Sequence, residues 1–250
     1  MAGHSKWAQI KRKKSKEDEK RGQLYSKLTK SIIVAARQGG GNPESNPALA
    51  AAIEKAKRFN LPQENIDRAI KKATGELEGV SYENLVYEGY APGGVAIMVE
   101  VATDNRNRTA AEMRHIFAKR GGSLGETGSV AWMFERKGEI VILAAGVSED
   151  DVIAAALDAG AEDVETGDEF FTVYTEPDAF AAVKAALESA GLPIESAEIV
   201  MRPTSTVSVT DAEQAKRILR LIDDLEDHDD VQEVYSNFDI PAEIIEEVES

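Results

Sequence analysis

The chain has 250 residues, enough for two or three compact domains, and no cysteine, which excludes structural disulfides, thiolate metal sites and a cysteine nucleophile. No apolar run approaches the roughly 20 residues of a membrane span, and Met1 leads straight into polar, basic sequence without a signal-peptide core, so a soluble, cytoplasmic protein is expected. The formal net charge of -16 divides unevenly: residues 1–75 hold 17 Lys+Arg against 7 Asp+Glu, net +10, which leaves 12 against 38, net -26, for residues 76–250. A basic head on an acidic body predicts a polyanion partner for the head, with the acidic remainder confining it to one face.

The head opens with Gly3-His4-Ser5-Lys6-Trp7, followed by Lys11, Arg12, Lys13, Lys14 and Lys16. A Trp among cations can stack on a base or ribose while the cations hold phosphates, which makes Lys6, Trp7, Lys11, Arg12, Lys13 and Lys14 candidate nucleic-acid ligands. Packing is the competing reading of Trp7. The basic run positions a partner on its phosphates and reads no sequence. With few apolar positions, the first 20 or so residues are expected to order only on a partner.

From Gly22 the pattern is helical. Leu24, Leu28 and Ile32, with Ala35 and Ala36, form one apolar face, while Lys27 and Lys30 fall off it and join the candidate set. Gly39-Gly40-Gly41-Asn42-Pro43 stops the helix. A second helix opens at Asn46-Pro47 and a third at Pro62, each with Pro at its favoured first turn, and the third ends near Gly75. These helices define a basic helical domain over residues 1–78.

After Gly79 the period becomes that of strands. Segments 85–90 and 95–102 flank Ala91-Pro92-Gly93-Gly94 and are expected to pair as a hairpin. The second strand runs into a loop carrying Asp104, Arg106 and Arg108. A helix then opens at Thr109, whose Thr109-Ala110-Ala111-Glu112 spacing is that of a capping box. A helix N-terminus favours anions, so two arginines just ahead of one suggest a phosphate gripped by guanidiniums and backbone N–H groups. Pairing of Arg106 or Arg108 with Asp104 or another carboxylate is the competing reading. Arg114 and Lys119, further along the helix, extend the candidate set.

A strand over 131–134 is expected to break at Arg136-Lys137-Gly138. Residues 139–202 then read strand, helix, strand, strand, helix, strand, the ferredoxin-like order. A strand over 206–209, a helix over 212–225 and a strand over 231–235 return the chain to the earlier α/β layer. The expected fold is α+β with three domains. A discontinuous α/β domain covers 79–137 and 203–241, and an acidic ferredoxin-like domain over 138–202 is inserted into it.

Signals for chemistry are sparse. His4, His115 and His228 lie far apart with no second histidine at ligand spacing, so no metal site is expected. Residues 223–230 are rich in Asp but lack the Gly and distal Glu of a calcium loop, and read as a solvated helix end. Neither a catalytic set nor a cofactor is indicated.

Gly3-His4-Ser5-Lys6-Trp7, Tyr87-Glu88-Gly89-Tyr90-Ala91-Pro92-Gly93-Gly94, Thr103-Asp104-Asn105-Arg106-Asn107-Arg108-Thr109 and Gly121-Gly122-Ser123-Leu124-Gly125 together resemble the YebC/PmpR family, which includes the mitochondrial translational activator of cytochrome oxidase subunit one. The likeness runs from Met1 to about Pro241, with Ala91 where the family often has Gly. The resemblance implies a YebC-like three-domain fold and a non-enzymatic regulator of gene expression. Bacterial members are commonly described as DNA-binding transcriptional regulators. Mitochondrial and some bacterial relatives are understood as ribosome-associated translation factors that assist synthesis of proline-rich stretches. With its start at Met1 and no transit extension, the chain looks like a bacterial cytoplasmic member, which is the expectation the resemblance gives. The implied partners are therefore DNA, or ribosomal or transfer RNA and the ribosome, with no membrane and a monomer as the expected state. Counterion release drives binding to either nucleic acid, and a basic tail with arginines on a rigid sheet suits RNA recognised by shape.

Overall fold

The computed structural model describes residues 21–167 and 169–249. The candidate ligands Lys6, Trp7, Lys11, Arg12, Lys13 and Lys14, and the expectation that the first 20 residues order on a partner, lie outside the described residues. The described elements form an α+β fold of two compact units, residues 133–205 making one and the segments on either side making the other.

In the larger unit, three helices come first: α1 (Arg21–Gly39), α2 (Pro47–Arg58) and α3 (Gln63–Thr74). Asn46 caps α2, its side chain accepting from Leu49 N at 3.1 Å and donating back to Ala35 O and Gly40 O, so one buried amide fixes the α1–α2 corner. Gly75 ends α3 in the left-handed conformation at φ 84°. Leu28, Ile32, Leu49, Ala56, Leu61 and Ile66 form the core of this helical domain.

Strands β1 (Glu83–Ala91) and β2 (Val95–Thr103) pair antiparallel as a hairpin about Pro92–Gly94. Then follow α4 (Arg106–Lys119) and the short β3 (Ser123–Leu124). After the second unit the chain adds β8 (Val207–Ser208), α7 (Ala212–Glu226), β9 (Val231–Ser236), β10 (Phe238–Asp239) and α8 (Ala242–Glu249). Sheet order is β3-β1-β2-β9, with β8 and β10 paired apart. Val95, Ile97, Val99 and Val101 alternate onto the face that packs with Met113 and Phe117 of α4 and Ile218, Leu221 and Ile222 of α7. The opposite face meets the helical domain, where Lys55 pairs with Glu233 and Ser31 with Gln232.

The inserted unit carries β4 (Phe134–Leu143), α5 (Glu149–Asp158), β5 (Asp163–Thr166), β6 (Phe170–Thr175), α6 (Phe180–Ser189) and β7 (Ile194–Pro203). Its sheet order, β5-β6-β4-β7 with every pair antiparallel, is that of the ferredoxin-like fold. The break expected at Arg136-Lys137-Gly138 is absent: β4 runs through it unbroken. Gly138 is there for close approach, since a Cβ on it would lie 2.5 Å from the Phe180 ring of α6.

Candidate nucleic-acid interface

The start of α4 differs from the capping box read from the sequence. Asn105, at φ -145°, is the cap, and its side chain accepts from Arg108 N at 3.1 Å. The helix therefore begins at Arg106, three residues early, and both arginines sit within its first turn. Asn105 N is in turn held by Thr103 Oγ1 at 2.9 Å. Released from capping, Thr109 turns inward, its Oγ1 2.8 Å from Asp230 Oδ2 and 2.8 Å from Thr103 Oγ1.

Asp230 is the centre of this region. Its side chain is 4% exposed and accepts from Lys30 Nζ at 2.7 Å on one oxygen. The other oxygen takes Arg108 Nη2 at 2.8 Å together with Thr109. Burial alone would raise its pKa. The hydrogen bonds from Lys30, Arg108 and Thr109 outweigh that and hold the carboxyl well below the usual carboxylate range. The acidic stretch read as a solvated helix end is thus partly an internal anchor.

That anchor accounts for three of the sequence candidates. Arg108 pairs with Asp104 at 3.0 Å as well as with Asp230, so the carboxylate reading describes it. Lys30 also donates to Asp229 O, and Lys27 Nζ donates to Glu226 O. Burial pulls the Lys27 ammonium below its ordinary value, opposed by Glu226, Glu233, Asp227 and Asp229. These oxygens take part of the donor capacity of the three cations, and the Arg108 side chain stays 43% exposed. Lys119 is half-exposed and reaches Asp224 at 3.4 Å, a contact that Arg120 makes more closely at 2.7 Å.

Arg106 and Arg114 are different. Both are exposed, and neither has a carboxylate partner among the described residues. They lie about two helical turns apart, and both positive charges act on the Tyr87 hydroxyl, opposing the burial that pushes it up. Tyr87 OH donates to Arg106 O at 3.4 Å. The patch thus combines two available guanidiniums with a half-buried aromatic ring. His115 stands exposed on the same helix.

Glu112, His228 and Asp230 offer ligand atoms within 4.8 Å of one another. Part of their ligand capacity is occupied within the protein. His228 Nδ1 accepts Asp230 N at 3.1 Å, which places the ring proton on Nε2, 2.8 Å from Glu112 Oε2. With Lys30 and Arg108 also on Asp230, two cations already balance the two carboxylates of the trio. A cleft of about 450 Å³ opens over these ion pairs between α1 and α4, with Tyr82 on its wall.

Residues 5–76 match the family model for the TACO1/YebC protein N-terminal domain, and residues 82–238 match that for the TACO1/YebC second and third domain. The chain belongs to the TACO1/YebC family. A relative from Halothermothrix orenii, described as a probable transcriptional regulatory protein, is 59% identical over 99% of this chain and 99% of its own. A relative of the same description from Aquifex aeolicus is 55% identical over 99% and 100%. The crystal structure of a conserved hypothetical protein, Aq1575, from Aquifex aeolicus superposes with a TM-score of 0.83 at 54% identity, covering 90% of this chain and 92% of that one. The fold of this TACO1/YebC member is accordingly the YebC-like three-domain one.

Sequence reasoning missed Asp230, Glu88 and Trp132. Glu88 is buried in a strand, where a carboxylate gives no periodic signal, and Asp230 stands among acidic neighbours that look alike on paper. No helix is long and apolar enough to cross a membrane among the described residues.

Proposed function

We propose that the protein is a non-enzymatic, cytoplasmic, nucleic-acid-binding regulator of gene expression. The observation that carries this reading is the division of charge, net +10 over residues 1–75 against net -26 over the rest. In the proposal the basic N-terminal domain supplies most of the affinity through phosphate contacts, and Arg106 and Arg114 add a second point of attachment beside Tyr87. The description of the relatives as probable transcriptional regulatory proteins supports the regulator role.

Two targets fit. A DNA-binding transcriptional regulator follows the relatives' name. A ribosome-associated translation factor on ribosomal or transfer RNA is favoured by the composition of α2 and α3. There Lys55 is tied to Glu233 and Arg68 to Glu64, and Glu54 and Asp67 interrupt the remaining cations, so no stripe of base-reading side chains suits a major groove. Ultraviolet crosslinking in growing cells, followed by purification and sequencing of attached RNA and DNA, decides between them. Crosslinks concentrated in ribosomal or transfer RNA give the translation factor; enrichment at a few promoter regions, with RNA at background, gives the transcription factor. Background recovery of both nucleic acids would overturn the proposal.

A further inference from the structure

Trp132 is 71% exposed, yet it is not loose. Its indole Nε1 donates to Ser129 O at 3.1 Å, and Tyr90 OH donates to the same oxygen at 2.9 Å. The loop beneath it is pinned by buried Glu88, whose carboxylate accepts from Gly128 N, Val130 N and Ala131 N at 2.7–2.8 Å. With its only polar atom satisfied internally, the ring offers solvent a flat, apolar surface at a fixed angle. A complementary ligand needs a flat face and no hydrogen bond to the indole.

The surroundings narrow the class. Glu88 and Tyr90 alternate with Val86 on the face of β1 opposite the body core, and Val86 is 48% exposed. The linker leading into β1 exposes Leu77 and Val80. Cations flank that linker: Arg37 donates to Ser81 Oγ, and a Cβ on Gly79 would touch the stem of Lys72 at 3.1 Å. The cations stand at the linker and not at Trp132, and the cross-strand neighbour of Val86 is Glu100, so the tryptophan would hold a base by stacking while the linker end meets phosphates.

We propose that Trp132 is a stacking platform for an unpaired base of single-stranded nucleic acid, with Val86 and the 77–81 linker along the strand's course. The inference rests on the nucleic-acid reading above and adds the class of ligand, since bases inside a duplex do not present their faces.

The sequence holds two tryptophans, so in the full-length Trp7→Phe variant the fluorescence reports Trp132 alone. That variant is titrated with 12-nucleotide single-stranded oligo(A) as RNA and as DNA, and with a 12-base-pair duplex, while anisotropy of a labelled probe reports binding. Saturable quenching by the single strands and none by the duplex is expected, and the stronger quencher identifies RNA or DNA as the source of the base. In the same assay Trp132→Ala lowers single-strand affinity by about 5- to 150-fold with its thermal melt unchanged, and Trp132→Phe restores most of it. Single-strand binding without quenching, or full affinity in Trp132→Ala, would overturn the platform and leave the nucleic-acid reading standing. Failure of every probe to bind at low salt would overturn both.

Discussion

Lys30 of the helical domain and Asp230 of the α/β body form an ion pair at 2.7 Å, with the Asp side chain 4% exposed. The pair ties α1 to the turn before β9, and Arg108 shares the same carboxylate from α4. One buried acid therefore aligns three elements that are remote in sequence.

Asp230→Asn should cost roughly 2–3 kcal/mol of unfolding free energy, less than for a fully buried pair because Lys30 and Arg108 keep some access to water. Urea denaturation measures it. A midpoint unchanged from wild type would remove Asp230 from its structural role.

The same carboxyl predicts a pH dependence. Its folded pKa lies below the ordinary 3.8, so its contribution is fully present above about pH 4 and is lost as pH falls further toward the folded value. Melting temperature should fall more steeply below pH 4 in wild type than in Asp230→Asn. Parallel curves for the two proteins would contradict this.

Glu88 makes a second test. Burial would raise its pKa, but three backbone N–H groups hold it below the ordinary value. Glu88→Gln replaces one accepting oxygen by a donor facing other donors, at a cost of about 1–3 kcal/mol. Hydrogen exchange should quicken at Gly128, Val130 and Ala131, and unchanged protection there would refute the pinned loop.

The arginines of α4 should separate by role. Arg108→Ala is expected to lower stability by about 1 kcal/mol, the upper end for a half-exposed ion pair. The double variant Arg106→Ala, Arg114→Ala should leave the melt unchanged, weaken nucleic-acid binding and reduce the log-log salt slope by roughly 1.4 to 1.8, for two lost phosphate contacts on a single strand or a duplex. An unaltered slope would free both from the interface.

Gly89→Ala probes the seam of β1, β3 and α4. A Cβ there would lie 2.6 Å from Ser123 O and 2.7 Å from the Phe117 ring. Overpacking against a backbone carbonyl should destabilise by about 2 kcal/mol or more, read as a lower melting temperature.

Much of this architecture is legible in the sequence. The β1–β2 hairpin, the three head helices and the βαββαβ order follow from periodicity and from turn residues such as Pro47, Gly75 and Gly93, because those signals are local. Sequence reasoning fails where one residue type serves two purposes. Gly138 reads as a break and acts as a close-packing point under Phe180. Thr109 reads as a cap, but Asn105 takes that role and frees the threonine hydroxyl for Asp230.

The division of charge, the lack of cysteine and the order of elements were determined by the sequence alone, since composition and short-range pattern do not depend on how the chain packs. Which charges remain available was decided only by tertiary structure. Lys27, Lys30, Arg106, Arg108 and Arg114 are alike as cations in the chain. Folding brings the 226–230 turn against Lys27, Lys30 and Arg108, and leaves Arg106 and Arg114 beside Tyr87. The reason is that an ion pair or hydrogen bond needs two groups within about 4 Å, and residues some 120 to 200 positions apart acquire that proximity only through packing.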